Sequence, residues 1–193
     1  MSDICIILIR SGSKGIKNKN IKIVKGYPLI YYTLKSVLSS EIFKKVIISS
    51  DKKYYFKVIR KYFPNKQKYL DFFLRSNKYA KDTSSSEESL LEILKTKSFL
   101  KREYKTVYFV QATSPMLKAN DLISARKKFK RGKYDSMLSG YKEKIFFWKP
   151  LSKFNFKSIN YDYKNRPRRQ NFKNVYFENG AFYIFNLNLF FKF

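Results

Sequence analysis

The stretch Ile4-Cys5-Ile6-Ile7-Leu8-Ile9-Arg10-Ser11-Gly12-Ser13-Lys14-Gly15-Ile16-Lys17-Asn18-Lys19-Asn20 decides the fold. Six consecutive apolar residues without polar alternation read as a strand covered on both faces, the pattern of a parallel sheet between helix layers. The strand runs into a polar loop with two glycines and several cations. A loop leaving the carboxyl end of a parallel strand stands where open α/β sheets bind ligands. Its glycines let backbone amides approach an anion, while Arg10, Lys14 and Lys19 can neutralise a polyphosphate. Neither G-x-G-x-x-G nor G-x-x-x-x-G-K-[ST] spacing is present, which argues against an ordinary dehydrogenase or P-loop kinase. On these residues alone, a solvated basic turn remains the competing reading.

Outward from this stretch, the first 140 residues alternate short apolar runs with amphipathic stretches, as a βαβ chain with a mostly parallel sheet does. A helix is expected from Pro28 to about Ser39, a strand at Val46 to Ile48, and a helix from Tyr54 to Tyr62 with a stop at Pro64. A short strand follows at Phe72 to Leu74. Ser84 and Ser85 each stand three residues before a glutamate, so a capping box can start a helix running to about Leu100. Val107 to Val110 reads as a strand, Asn120 as the cap of a helix reaching about Lys130, and Ser136 to Ser139 as a fifth strand. Beyond Gly140 comes an aromatic, lysine-rich stretch, Tyr141 to Tyr163, without a clear period, then the basic cluster Asn165 to Gln170. Strand character returns at Ala181 to Phe185. No repeat or long linker interrupts the chain, so a single domain over 1–193 is expected.

The chain has 193 residues, 44% of them apolar, enough for one sizeable core. Its lone cysteine, Cys5, sits inside the first apolar run and reads as a small buried hydrophobe. No apolar run is long enough to cross a bilayer, and the charges around the first one are the reverse of a secretory signal, so a soluble cytoplasmic protein with no membrane partner is expected. The formal charge of +28 favours polyanionic partners. Of 42 basic residues 33 are lysine, and abundant Phe, Tyr, Ile and Asn accompany them, so part of this charge reads as compositional drift on solvated faces. A nucleic-acid binder would use the same charge, but the cations are spread along the chain and no nucleic-acid module motif is present, so no nucleic-acid partner is expected.

Five segments then carry a resemblance. Arg10 to Asn20 resembles the signature A-R-x-G-S-K-G-x-x-x-K-N of acylneuraminate cytidylyltransferases, with Ile9 in place of alanine. Ser49-Ser50-Asp51 resembles that family's strand-two ending. Leu74-Arg75 with Asp82-Thr83-Ser84-Ser85-Ser86 resembles its R-P-x-x-x-A-x-D-T-S-S stretch, and Gln111 to Pro115 its L-Q-P-T-S-P. Arg168-Arg169-Gln170 with Glu178 to Tyr183 resembles R-R-Q-D…E-N-G-A-x-Y. The resemblance implies a three-layer, Rossmann-like nucleotidyltransferase fold of the nucleotide-diphospho-sugar transferase type. It also implies transfer of CMP from CTP to the anomeric hydroxyl of a sialic-acid-like nonulosonic acid, with Mg²⁺.

Carried over position by position, the resemblance gives Arg10, Ser13, Lys14 and Lys19 to the CTP phosphates, with Arg10, Lys14 and Lys19 as the catalytic cations. It gives Asn20, Arg75, Ser84 and Ser86 to cytosine and ribose, and Gln111, Arg169, Asn179 and Tyr183 to the sugar acid. Bland readings stand beside these: Arg75 as a surface strand-end charge, the serines as helix caps, Tyr183 as core packing. No protein general base can be assigned, and a metal-bound hydroxyl is the expected substitute. The resemblance further implies a homodimer built through the excursion at about 141–175, against a loosely packed flap.

Three departures qualify the resemblance. Asn171 stands where the family has an acid. Phe177 occupies a position often basic. No aspartate follows Asp162, so the acidic D-I-D-T-x-x-D stretch associated with Mg²⁺ is missing and no metal ligand is assigned. Truncation is the expected reason, with Phe190, Phe191 and Phe193 read as a strand or helix interrupted before it could pack; a metal held by substrate phosphates and a group such as Asp51 is the alternative. A CMP-Kdo or pseudaminate cytidylyltransferase, or an inactive CTP-binding homologue, would share much of this pattern.

Overall fold

A computed structural model describes residues 2–13, 15–80, 83–97 and 100–191. In chain order it contains β1 (Ser2–Leu8), the hairpin strands β2 (Ile23–Val24) and β3 (Tyr27–Pro28), α1 (Leu29–Ser39), β4 (Phe43–Ser50), α2 (Lys53–Tyr62) and β5 (Leu70–Leu74). There follow α3 (Ser86–Thr96), α4 (Leu100–Glu103), β6 (Tyr104–Val110), α5 (Ala119–Gly132), β7 (Ser136–Glu143), β8 (Trp148–Ser152), β9 (Asn155–Ser158), β10 (Val175–Asn186) and α6 (Leu187–Phe190).

The chain divides into two compact units, 1–138 with 180–193, and 139–179, and β7 and β10 run from one into the other. The larger unit is built on a sheet of order β5-β4-β1-β6-β10-β7. β1 pairs in parallel with β4 and with β6, β4 pairs in parallel with β5, and β10 runs antiparallel to β6. The expected mostly parallel α/β sheet between helix layers is the observed one.

The unbroken apolar run of β1 explains its central place, because each alternate residue has its own layer to fill. Cys5, Ile7 and Ile9 join one core with Ile30 and Leu34 of α1, Tyr55 and Ile59 of α2, and Leu122 and Phe129 of α5. Ile4 and Ile6 join the opposite core with Leu90, Ile93 and Leu94 of α3, Leu100 of α4 and Leu187 of α6. Cys5 is fully buried, as expected, and burial pushes its thiol pKa well up. Asp3, 2% exposed at the opposite end of β1 from the loop, is held by Arg126 Nε at 2.5 Å.

Several sequence expectations change. The helix expected to reach Leu100 stops at Thr96, and a separate short helix begins at Leu100. Asn120 lies inside α5 rather than capping it; the cap position is Lys118, whose backbone N–H donates to Asp121 Oδ2 at 2.9 Å. A carboxylate in the first turn thus does the work expected of the asparagine. The strand expected to end at Ser139 continues to Glu143. The hairpin at 23–28 was not foreseen. It turns on Lys25 and Gly26, both with positive φ (47° and 85°), as a two-residue primed turn requires. Phe190 and Phe191 are not left unpacked: both lie against the second core, and Phe190 stacks on Phe185 at 4.6 Å. Phe193 lies outside the described residues.

The unit 139–179 holds the stretch that showed no period. It contains the antiparallel hairpin β8–β9, with Trp148 opposite Ser158 and Pro150 opposite Phe156. A small aromatic nucleus joins Phe146, Tyr161 and Phe172, and Asn160 ties its own segment by bonds to Phe147 N and Ile145 O, each 2.9 Å. Gly140 has a steric reason: a Cβ there would stand 2.6 Å from the Phe177 carbonyl oxygen. Clustered short-range aromatic contacts and tight backbone approach carry no regular spacing, so the sequence pattern could not show them.

Leu94→Ala, at a fully buried position of the α3 core, is expected to lower the unfolding free energy by about 2–5 kcal/mol, read from urea denaturation followed by far-UV circular dichroism.

Candidate functional site

At the carboxyl ends of the parallel strands the larger unit has a cavity of roughly 480 Å³, within the range of small-molecule sites. Its walls come from the segment after β1 (Ile9 to Asn20), from Arg75 after β5, from Tyr79, from the entry of α3 (Ser84, Ser85, Ser86, Ser89), and from Phe109 to Thr113 at the end of β6. Chain order runs from β1 to β4 and β5 on one side and then returns to β6 on the other, so the cavity sits at the topological switch point of the sheet. The described wall carries the cations Arg10, Lys19 and Arg75, six hydroxyls from serine and threonine, and no carboxylate. Such a lining fits a polyanion that also presents hydroxyl or amide groups.

The loop is tied down rather than splayed into solvent. Asn20, 5% exposed, donates Nδ2–H to the Arg10 carbonyl oxygen at 3.2 Å. Asn18 holds a left-handed backbone, φ 53°, and its Oδ1 accepts from the Tyr55 hydroxyl at 3.0 Å. Burial and the nearby Asp51 charge raise the Tyr55 pKa, which keeps that hydroxyl protonated and a donor. Ser11 donates both its N–H and its Oγ–H to the two oxygens of Asp51, at 2.9 and 2.5 Å. The short helix Lys19–Ile21 begins directly after Asn18, so these ties set where Lys19 enters the wall.

Arg75 is the most constrained cation. The β5 ladder is prolonged by its N–H bonding Ser50 O at 2.8 Å, and one guanidinium NH₂ donates to Ile9 O at 2.6 Å. With 5% exposure it is no surface strand-end charge, and its Nε–H has no partner among the described residues. Desolvation lowers its pKa, with Arg10 acting in the same direction and the charges of Asp51 and Glu92 opposing. A buried guanidinium with an unused donor beside a cavity has the chemistry to receive an anion.

The α3 entry supplies the third wall. Ser85 and Glu88 form the capping box, so of the two sequence alternatives the Ser85 pair is realised. Ser84 Oγ donates to Lys78 O at 3.1 Å, and Ser86 opens the helix, whose amino-terminal dipole favours negative charge.

Of the sequence candidates, Arg10, Ser13, Lys19, Asn20, Arg75, Ser84, Ser86 and Gln111 meet in this cavity. Lys14 and Asp82 lie outside the described residues. Tyr183 is half-buried and stacks on the wall residue Phe109, ring centroids 5.8 Å apart. Arg169 and Asn179 belong to the unit 139–179, where Arg169 is exposed and Asn179 Oδ1 accepts from Ser139 Oγ at 2.7 Å. Sequence reasoning missed Tyr79, Ser89 and Thr113. Ser89 was findable, since it stands one helical turn after Ser85; Tyr79 carried no signal. Among the described residues no group of three His, Cys, Asp or Glu side chains could hold a metal ion. Asp51, hydrogen-bonded directly to the loop, has both oxygens engaged by Ser11.

The sequence model of the cytidylyltransferase family matches residues 4–185, nearly the whole chain. The chain belongs to the cytidylyltransferase family. N-acylneuraminate cytidylyltransferase A of Danio rerio is 34% identical over 182 residues, covering 93% of this chain and 40% of that protein. The pseudaminic acid cytidylyltransferase of a Campylobacter jejuni strain is 31% identical over 190 residues, covering 95% of this chain and 78% of that protein. The chain thus spans 40% of the length of the N-acylneuraminate relatives from fish that it matches. The fold is shared with the solved structure of CMP:2-keto-3-deoxy-manno-octonic acid synthetase complexed with CTP, TM-score 0.69 at 14% identity, covering 100% of this chain and 77% of that one. No helix among the described residues is long and apolar enough to cross a membrane.

The capping box frames one wall of the cavity. Ser85→Ala is expected to cost about 1 kcal/mol of stability in equilibrium denaturation.

Proposed function

We propose that this cytidylyltransferase-family chain transfers CMP from CTP to the anomeric hydroxyl of a nonulosonic acid. The observation that carries the reading is the switch-point cavity walled by Arg10, Lys19, Arg75 and the α3 entry, without a carboxylate among its described residues. In the reaction the sugar hydroxyl oxygen forms a bond to the α-phosphorus, the bond from that phosphorus to the bridging oxygen breaks, pyrophosphate leaves, and the hydroxyl proton is released. Such transfers depend on in-line positioning and on stabilising charge on the phosphate oxygens, which fixed cations supply.

Arg10, Ser13 and Lys19, with Lys14 by resemblance, take the triphosphate; Asn20, Arg75, Ser84 and Ser86 take the nucleoside. Asn20 already uses Nδ2 on Arg10 O, so its free contribution is the amide oxygen and the remaining amide hydrogen. Gln111, Arg169, Asn179 and Tyr183 keep their assignment to the sugar acid by resemblance. Mg²⁺ is proposed to accompany the nucleotide phosphates rather than to sit in a protein cage, in keeping with the absence of a ligand cluster among the described residues. The compartment is proposed to be cytoplasmic, where CTP is supplied.

A sialic-type acid is the first substrate to test. A pseudaminic-type acid is the second, because relatives acting on each match this chain at comparable identity. A homodimer is proposed through the unit 139–179, whose Trp148, Leu151, Phe154 and Phe156 stand exposed. Phe154→Asp is expected to shift the species seen by light scattering toward monomer.

Pyrophosphate release from CTP, Mg²⁺ and a nonulosonic acid is the direct assay. Lys19→Ala is expected to remove most of it, and no release with any of the candidate acids would count against the reading. Arg75→Lys keeps the charge but loses the fork that can hold Ile9 O and a ligand together. It is expected to weaken CTP binding by about tenfold, measured by calorimetry.

A further inference from the structure

A carboxylate stands next to the cationic loop, where its negative charge opposes the binding of a triphosphate. We infer that Asp51 is a positioning residue, locking the first turn of the anion-binding loop so that Arg10 and Ser13 face the cavity. The inference rests on the nucleotide reading above for its ligand, but not for its geometry.

Asp51 follows directly on Ser50, the last residue of β4, which pairs with Leu74 of β5 and accepts the Arg75 N–H. Its backbone is therefore anchored to the sheet. Its Oδ1 accepts from Ser11 N at 2.9 Å and its Oδ2 from Ser11 Oγ at 2.5 Å, with Ser50 Oγ a longer donor to Oδ1 at 3.4 Å. Two donors from one residue onto one carboxylate fix both the backbone and the side chain of Ser11. The Ser13 N–H then closes a tight turn onto Ser11 O at 3.0 Å. Arg10 and Ser13 are among the described wall residues of the cavity, while Ser11 and Asp51 are not. The clamp thus grips the outer side of the turn and leaves its neighbours to the ligand. The same charge favours the charged form of buried Arg75, against the effect of desolvation.

Charge and clamp predict opposite signs. Asp51→Ala adds one unit of positive charge near the site, so simple electrostatics predicts tighter CTP binding. The clamp predicts binding weaker on the order of tenfold, from loss of a doubly hydrogen-bonded carboxylate. Calorimetry with CTP in EDTA reads the sign without any contribution from a divalent cation. Ser11→Ala leaves the charge in place and is expected to weaken binding in the same direction by a smaller factor. Asp51→Asn, which can still accept from Ser11 N–H, is expected to recover part of the loss.

Hydrogen exchange on the ligand-free protein supplies an independent readout: the residue 11–13 amides should exchange at least several-fold faster in Asp51→Ala and Ser11→Ala. Unchanged or tighter CTP binding together with unchanged exchange in both variants overturns the proposal. A wild-type protein that takes no CTP overturns the nucleotide reading instead, and the exchange measurement then decides the clamp alone.

Discussion

Everything in the larger unit depends on the pairing of β1 with β4 on one side and β6 on the other. A strand with parallel neighbours on both edges and helices over both faces is driven to be apolar, and β1 meets that demand from Ile4 to Leu8, its buried Asp3 being paired with Arg126. The same pairing fixes three chain segments at one end of the sheet, since parallel strands deliver their carboxyl ends together. Where the order of laying down strands turns back, between β1 and β6, the connections diverge and a cavity is left. The chemistry of the site follows from which residues happen to stand at those strand ends.

What stands there is positive and hydroxyl-rich. Arg10 and Lys19 come from the loop after β1, Arg75 from the end of β5, and the serine series from the entry of α3. The site avoids carboxylates on its described wall but keeps Asp51 just behind the loop, bonded twice to Ser11. A flexible lysine-rich loop would lose conformational entropy on meeting a triphosphate; one already tied through Ser11, Asn18 and Asn20 loses less. Arg75 does a similar service by bridging to Ile9 O across 66 residues of sequence. The cytidylyltransferase family match over residues 4–185 runs through both compact units.

The unit 139–179 follows a different rule. Its side chains are largely exposed, its nucleus is the small aromatic group around Phe172, and its hairpin leaves Trp148, Leu151, Phe154 and Phe156 exposed. No periodic pattern announces such a unit, because short strands held by aromatic contacts and an asparagine tie do not need one.

The sequence by itself determined the sheet class and the place of the loop: a run apolar at every position excludes a half-exposed strand, and the glycines and cations that follow mark where that strand ends. It also placed the α3 start to within one residue, since a serine three before a glutamate satisfies two orphan amides at once. It could not tell Ser84 from Ser85 as the cap, end α3 at Thr96, or find the 23–28 hairpin, because each turns on competition between local options that only packing resolves. Only the tertiary structure decided that Arg75 is buried against Ile9 O, that Asp51 is occupied by Ser11, and that Phe190 and Phe191 pack against the core. Those outcomes join residues far apart in the chain, and burial and pairing across such distances are properties of the fold, which no spacing along the sequence records.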